Sequence, residues 1–279
     1  MRGILTILSQ GCQWRTIDGP EASWNSVYQY YRRWVRQGVF TELFFQVELP
    51  LQGSRFFLDS THVKVHRCAS NPAGGQASQA MGTTRDGLHS EIHAVVDGAG
   101  QPVRLLLSAG HEADITHAQT MAEEIPVTML VGDKGYENDA FCQWLLDRGI
   151  KACIPPRANR QRKRSYRTPG YRKRHLVGNF FERIKNFRHV ATRYDKLADT
   201  FPGFVCLAAT TVSLRAHPES SLNLVRVLAI LRGGNEHYMR NLSEKQIRKA
   251  RAHLREYFSE SLEVVWCGYS CPHGGFFRF

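Results

Sequence analysis

The sequence predicts a mixed α/β fold, one sheet flanked by helices, with a small helical region at the amino terminus. Three observations predict it. Arg55 to His66 alternates apolar and polar residues with a period of two, and two further strand-like runs follow. Helical and strand patterns then alternate from Asp114 to Ile154. Ahead of residue 50 and beyond residue 174, apolar residues recur with a helical period. A hydrophobic share of 42% against 22% charged residues, over 279 residues, is enough for one substantial core and excludes disorder throughout.

In chain order, Ser23 or Asn25 caps a helix carrying Val27, Tyr28, Tyr31, Trp34 and Val35 on one face. Gly38 ends it, and Val39 to Phe45 supplies a second helix of the pair. Arg32, Arg33 and Arg36 on the outer side fit either part of a DNA-binding module or a plain helical subdomain with solvated arginines. In the strand from Arg55, Phe57, Asp59, Thr61, Val63 and Val65 share a face, so Asp59 points with apolar neighbours. Ala69 to Gly87, rich in Gly, Ser, Gln and Asn, reads as a mobile loop. Glu91 to Val96 and Val103 to Leu107 are strands joined around Asp97-Gly98-Ala99-Gly100.

A helix from Asp114 to Glu124 precedes the apolar strand Val127 to Val131, which runs directly into Gly132-Asp133-Lys134-Gly135-Tyr136. Asp133 therefore sits at a strand's carboxyl end. A helix from Asn138 to Arg148, closed by Gly149, leads to a strand from Ile150 to Ile154 that Pro155-Pro156 terminates. Three antiparallel strands followed by alternating helix and strand is the order of a ribonuclease-H-like core. A helix from Arg174 to Thr192 and another from Phe201 to Leu214 complete it, placing the core at residues 55–215 behind the amino-terminal region, 1–50. Residues 216–279 read as an appended helical tail of unknown role, with Ser243 and Gln246 as a capping box.

The charge balance of 37 Lys and Arg against 25 Asp and Glu gives +12, which favours a polyanionic partner. The excess concentrates between Lys151 and His175, which holds no acidic residue and includes Arg162, Lys163 and Arg164. Interleaved Tyr166 and Tyr171 offer stacking surfaces, so this block reads as a DNA-backbone contact, joined by Lys185 and Arg188 on the following helix. Seven scattered cysteines without a C-x-x-C pair fit a reduced cytoplasmic setting. The longest apolar run, Phe204 to Leu214, is interrupted by Thr210, Thr211 and Ser213 and is too short for a bilayer, so no membrane association is expected.

Asp59 and Asp133 gain meaning together. Two-metal phosphodiester chemistry needs carboxylates converging on divalent ions, and oxygen ligands suit Mg²⁺ or Mn²⁺. Three blocks carry a resemblance: Leu58-Asp59-Ser60-Thr61-His62-Val63-Lys64; Val131-Gly132-Asp133-Lys134-Gly135-Tyr136; and Arg174-His175-Leu176-Val177 through Ala191-Thr192-Arg193-Tyr194-Asp195-Lys196. With Gly11-Cys12-Gln13-Trp14-Arg15 ahead of them, they resemble the DDE transposases of insertion-sequence family five over roughly residues 11 to 215. The resemblance implies a ribonuclease-H-like fold and Mg²⁺ or Mn²⁺ held by Asp59 and Asp133. It implies phosphate contacts from Tyr171 and Arg174, and action on double-stranded DNA at terminal inverted repeats and at a target. It also implies a homo-oligomer when active, in the bacterial cytoplasm at the nucleoid.

Three departures accompany it. The family carries its third acid in a Tyr-x2-Arg-x3-Glu pattern; Tyr171 and Arg174 match, but position 178 is glycine. Glu182, one turn further, is the only nearby substitute, displaced about 6 Å along the helix. The chain also starts ten residues before the Gly-Cys-x-Trp-Arg segment, a truncation relative to the family, and the part beyond Ala216 does not align. These departures lead to the expectation of a copy inactive in strand cutting and joining. A catalytically dead DNA-binding remnant and a host ribonuclease-H-like nuclease stand as alternatives.

Overall fold

The computed structural model describes residues 1–17, 23–46, 51, 53–158, 160, 166 and 168–216. The capping box at Ser243 and the basic triplet Arg162, Lys163 and Arg164 lie outside the described residues.

The chain opens with a helix that the sequence reading did not include, α1 (Arg2–Gln10), burying Ile4, Leu5, Ile7 and Leu8. Gly11 closes it at φ 61°, and a Cβ there would meet Arg188 Cβ at 3.1 Å and Tyr194 Cε2 at 3.2 Å. Conformation and space both therefore favour glycine at this position. The expected helix pair is present as α2 (Trp24–Arg36), whose Ser23 hydroxyl accepts from the Ser26 N–H, and α3 (Val39–Gln46), separated by Gly38 at φ 69°.

The sheet begins with β1 (Arg55–Val65). The stretch read as a mobile loop holds a 3₁₀ turn at Ala77–Gln79 and a short strand, β2 (Gly82–Thr84), too brief for periodicity to reveal. Next come β3 (Gly87–Val96), β4 (Pro102–Ala109), α4 (Ile115–Ala122), β5 (Met129–Val131), α5 (Asp139–Asp147) and β6 (Lys151–Cys153).

A short α6 (Thr168–Tyr171) and a 3₁₀ turn lead into α7 (His175–Lys185). The helix expected to run unbroken to Thr192 stops there. Phe187 takes an extended conformation at ψ 111°, α8 (Arg188–Ala191) restarts the helix, and β7 (Thr192–Arg193) turns off to pair with β1. Helical periodicity alone does not register this break, because Ile184 before it and Val190 after it are both buried. The last described helix is α9 (Thr200–Ala216), buried from Thr200 to Leu214, as a helix apolar on every side must be.

The spine of the sheet is β4-β3-β1-β5-β6, with β2 extending the start of β3 and β7 pairing the far end of β1. β1, β3 and β4 are antiparallel neighbours; β5 and β6 run parallel to β1. Phe57, Val63, Ile92, Ala94 and Val131 face α7 and α9, and α1 to α3 share that core. Phe56, Leu58, Val95 and Leu130 face α4 and α5 on the other side. The amino-terminal helices thus cover α9: Trp14 and Tyr31 stack around Phe204, and the Tyr31 hydroxyl donates to the Thr200 carbonyl at 2.6 Å.

Candidate active site

Parallel pairing fixes how the two aspartates meet. Phe57 lies opposite Val131 in the β1–β5 register, and Asp59 and Asp133 each stand two residues further on. Both therefore emerge at the same edge, one from within β1 and one from the turn that follows β5. Asp133 caps that turn, its Oδ1 accepting from the Gly135 N–H at 2.7 Å. Exposed Arg157 ties the same turn down by donating to the carbonyls of Lys134 and Gly135, both at 3.2 Å. Arg160 does likewise further along, pairing with Glu137 and Asp139.

Asp59 is half-buried and receives a hydrogen bond from Arg174 Nη2 on its Oδ2 at 2.8 Å. Burial raises its carboxyl above the ordinary range; Arg174 pulls it back, and nearby Asp133 pushes it up again. Tyr171 stands close enough for both aspartates and Arg174 to influence its phenol, and burial raises it most. It meets Tyr166 edge to face, with ring centroids 5.6 Å apart.

Position 178 lies on the same stripe of α7. At 3.6 residues per turn, Arg174, Gly178 and Lys185 fall within about 40° of one another. Arg174 reaches Asp59, and Lys185 Nζ donates to Thr61 Oγ1 at 2.6 Å and to the His62 carbonyl at 2.9 Å. The stripe is thus anchored to β1 at both ends. Between those anchors a Cβ on Gly178 would meet nothing within 4 Å. Glu182, one turn further on, is exposed.

Residues 50–265 match the family model described as a transposase DDE domain, and residues 1–44 match one described as a putative transposase of the IS4/5 family. The chain belongs to the DDE transposase family. A similar relative is the putative transposase for insertion sequence element IS6501 of Brucella ovis. It is 30% identical over 131 residues, spanning 45% of this chain and 98% of that protein. A solved structure, the piggyBac transposase synaptic complex with hairpin DNA, aligns at a TM-score of 0.50 and 10% identity, covering 98% of this chain and 76% of that one.

This DDE transposase has the ribonuclease-H-like sheet expected from its element order, and its role is in DNA transposition. The family match runs past Ala216, into the stretch that the sequence alone left unassigned. Among the described residues no helix is long and apolar enough to cross a membrane.

Transposases of this family use divalent metal, and the residues of this one fit such an ion incompletely. Asp59 and Asp133 present hard oxygen donors at one edge, each with one oxygen outside the contacts just given. The space at Gly178 has the room for a third carboxylate and no side chain to supply it.

Of the residues expected to bind DNA, Tyr171 and Arg174 gather at the aspartates, whereas Arg188 is exposed at the start of α8, its Cβ near Gly11. Lys185 is half-buried with two of its donors spent on β1, and burial lowers its ammonium pKa.

Sequence reasoning missed a second polar cluster, on the α4 side of the sheet. Glu91 and His93 share that face of β3 with Ser60 and His62 of β1, and Asp114 joins them from the start of α4. Two polar residues alternating in a strand otherwise read as apolar were the available signal. Ser60 Oγ lies 2.9 Å from Glu91 Oε1 and 2.7 Å from Asp114 Oδ1. Burial and then Asp114 push the Glu91 carboxyl up to about 7, and burial with His117 nearby pulls the His93 imidazole down to about 4.

Proposed function

We propose that this transposase binds double-stranded DNA at the ends of an insertion sequence and brings a phosphodiester to the edge shared by Asp59 and Asp133. Those two carboxylates would hold a divalent ion, Mg²⁺ or Mn²⁺. Bound there, such an ion would neutralise charge on the scissile phosphate and polarise the attacking water or 3′-hydroxyl. Tyr171 and Arg174 orient the phosphate beside it. Arg162, Lys163, Arg164 and Arg188 hold the flanking backbone, and Lys185 adds its remaining N–H at the β1 end. The observation that carries this reading is the register: Asp59 and Asp133 sit level on parallel neighbours, two residues past a paired position.

The copy is inactive in cleavage and strand transfer, and retains DNA binding. Two observations support this: glycine stands where α7 would present a third acid, and Arg174 already occupies one oxygen of Asp59. Glu182 does not replace the acid, being exposed and a full turn along the helix. The solved neighbour was captured as a synaptic complex with hairpin DNA. This chain correspondingly acts as a homo-oligomer that pairs terminal inverted repeats and meets target DNA, at the nucleoid in the cytoplasm.

The test separates binding from cleavage. Duplex DNA carrying the parent element's inverted repeats is titrated with the full chain at several salt concentrations, with and without Mg²⁺. The expected result is affinity that falls steeply with salt, drops on reversing Arg162, Lys163 and Arg164 to glutamate, and yields no nicks. Binding insensitive to salt, or efficient nicking by the unmodified chain, would contradict it.

A further inference from the structure

We propose that Glu91, His93 and Asp114 form a second cation site, distinct from the Asp59–Asp133 pair, which takes a transition-metal ion of the Zn²⁺ or Mn²⁺ class. One ligand atom from each residue converges so that all three lie within 4.8 Å of one another.

His93 points to a ligand most directly. Its side chain is 1% exposed, its Nε2 is fixed by Ser108 Oγ at 2.7 Å, and its buried Nδ1 has no hydrogen-bond partner. That nitrogen faces Asp114 Oδ1 at 4.0 Å. An imidazole held through one nitrogen with the other left idle is the arrangement that proteins use to orient a metal ligand.

Asp114 behaves consistently. It occupies the N-cap position of α4, where an aspartate ordinarily accepts from the first turn, yet its side chain makes no capping bond. Its carboxylate turns to the cluster instead. Ser60 stands between it and Glu91, but one hydroxyl carries one proton and cannot donate to both carboxylates at once. Among the described residues no lysine or arginine pairs with either acid; the exposed His62 lies 3.2 Å from Glu91. A cation between the two acids and His93 Nδ1 offsets their mutual repulsion and gives that nitrogen a partner.

The donor set selects the ion. One imidazole nitrogen and two carboxylates suit Zn²⁺ or Mn²⁺, whereas Mg²⁺ and Ca²⁺ prefer oxygen alone. Tetrahedral Zn²⁺ needs ligand atoms about 3.3 Å apart, so His93 and Asp114 close by under about 1 Å. The site joins β1, β3 and α4. It also borders the Asp133 turn, because a Cβ on Gly135 would meet Asp133 Oδ1 at 2.8 Å and Asp114 Oδ2 at 3.6 Å. An ion held there steadies that turn from below.

The test uses full-length Asp59→Asn protein, stripped with EDTA, so that the aspartate pair cannot account for the metal bound. Equilibrium dialysis against Zn²⁺ in excess Mg²⁺, with metal analysis, is expected to give a single Zn²⁺ per chain. His93→Gln and Asp114→Asn should each weaken it at least tenfold (about the loss expected for disrupted ligation), with unchanged far-ultraviolet circular dichroism. His66→Gln, which removes the exposed His66–Cys68 contact, should leave it intact. If His93→Gln does not fold, Asp114→Asn at its half-exposed position decides alone. Absence of bound Zn²⁺, or parental affinity in the Asp114 variant, would overturn the proposal.

Discussion

At Gly178 an added Cβ meets no atom within 4 Å, so the helix there carries glycine's conformational cost without a packing reason. Gly178→Ala is accordingly expected to stabilise the protein by about 0.5–1 kcal/mol in a urea titration. A loss of stability would mean that α7 depends on glycine there in some other way. Gly135 presents the opposite case. A Cβ there would approach Asp133 Oδ1 at 2.8 Å, and a carboxylate is the mobile end of a side chain. Gly135→Ala should therefore leave the melting temperature nearly unchanged while displacing the Asp133 carboxylate. Its effect belongs in Mn²⁺ affinity, and unaltered Mn²⁺ binding would show that the Asp133 cap is not what positions that carboxylate.

The turn after β5 is held from outside by Arg157, which donates to two successive carbonyls. Arg157→Ala is expected to speed hydrogen exchange at the Gly135 amide with little effect on the centre of the sheet. Equal protection in both proteins would assign the turn's rigidity to Asp133 alone. At this scale the sequence was informative where periods are long. Alternation in β1 put Asp59 on its face, and the apolar run of β5 ending in Gly132-Asp133 put the second aspartate at a strand end. It was silent on β2, three residues long, and on the break at Phe187, where buried residues continue on both sides. Asp114 read as a helix start; that its side chain leaves the helix for Ser60 depends on a strand residue 54 positions away, which no local pattern encodes.

Across the whole molecule, the amino-terminal helices and the sheet are one packed body. α9 is buried as far as Leu214 because α3 and β4 flank it while Trp14 and Tyr31 close over Phe204. Leu8→Ala, at a fully buried position of α1, should cost about 2–5 kcal/mol and lower the single melting transition of the entire chain. A separate early transition would instead make residues 1–46 an independent unit. The aromatic spacing of α2 announced a buried face, but not that α9 and the ribonuclease-H-like core would cover it. The same packing sets α7 against β1 with Arg174 and Lys185 as its two anchors, so position 178 lies on the stripe between them. The most direct test is nicking of inverted-repeat DNA in Mn²⁺ by the unmodified chain, by Gly178→Glu, and by Gly178→Glu combined with Asp59→Asn. Cleavage is expected from Gly178→Glu only. Absence of cleavage in a Gly178→Glu protein that still binds the DNA, or cleavage that persists without Asp59, would contradict the account.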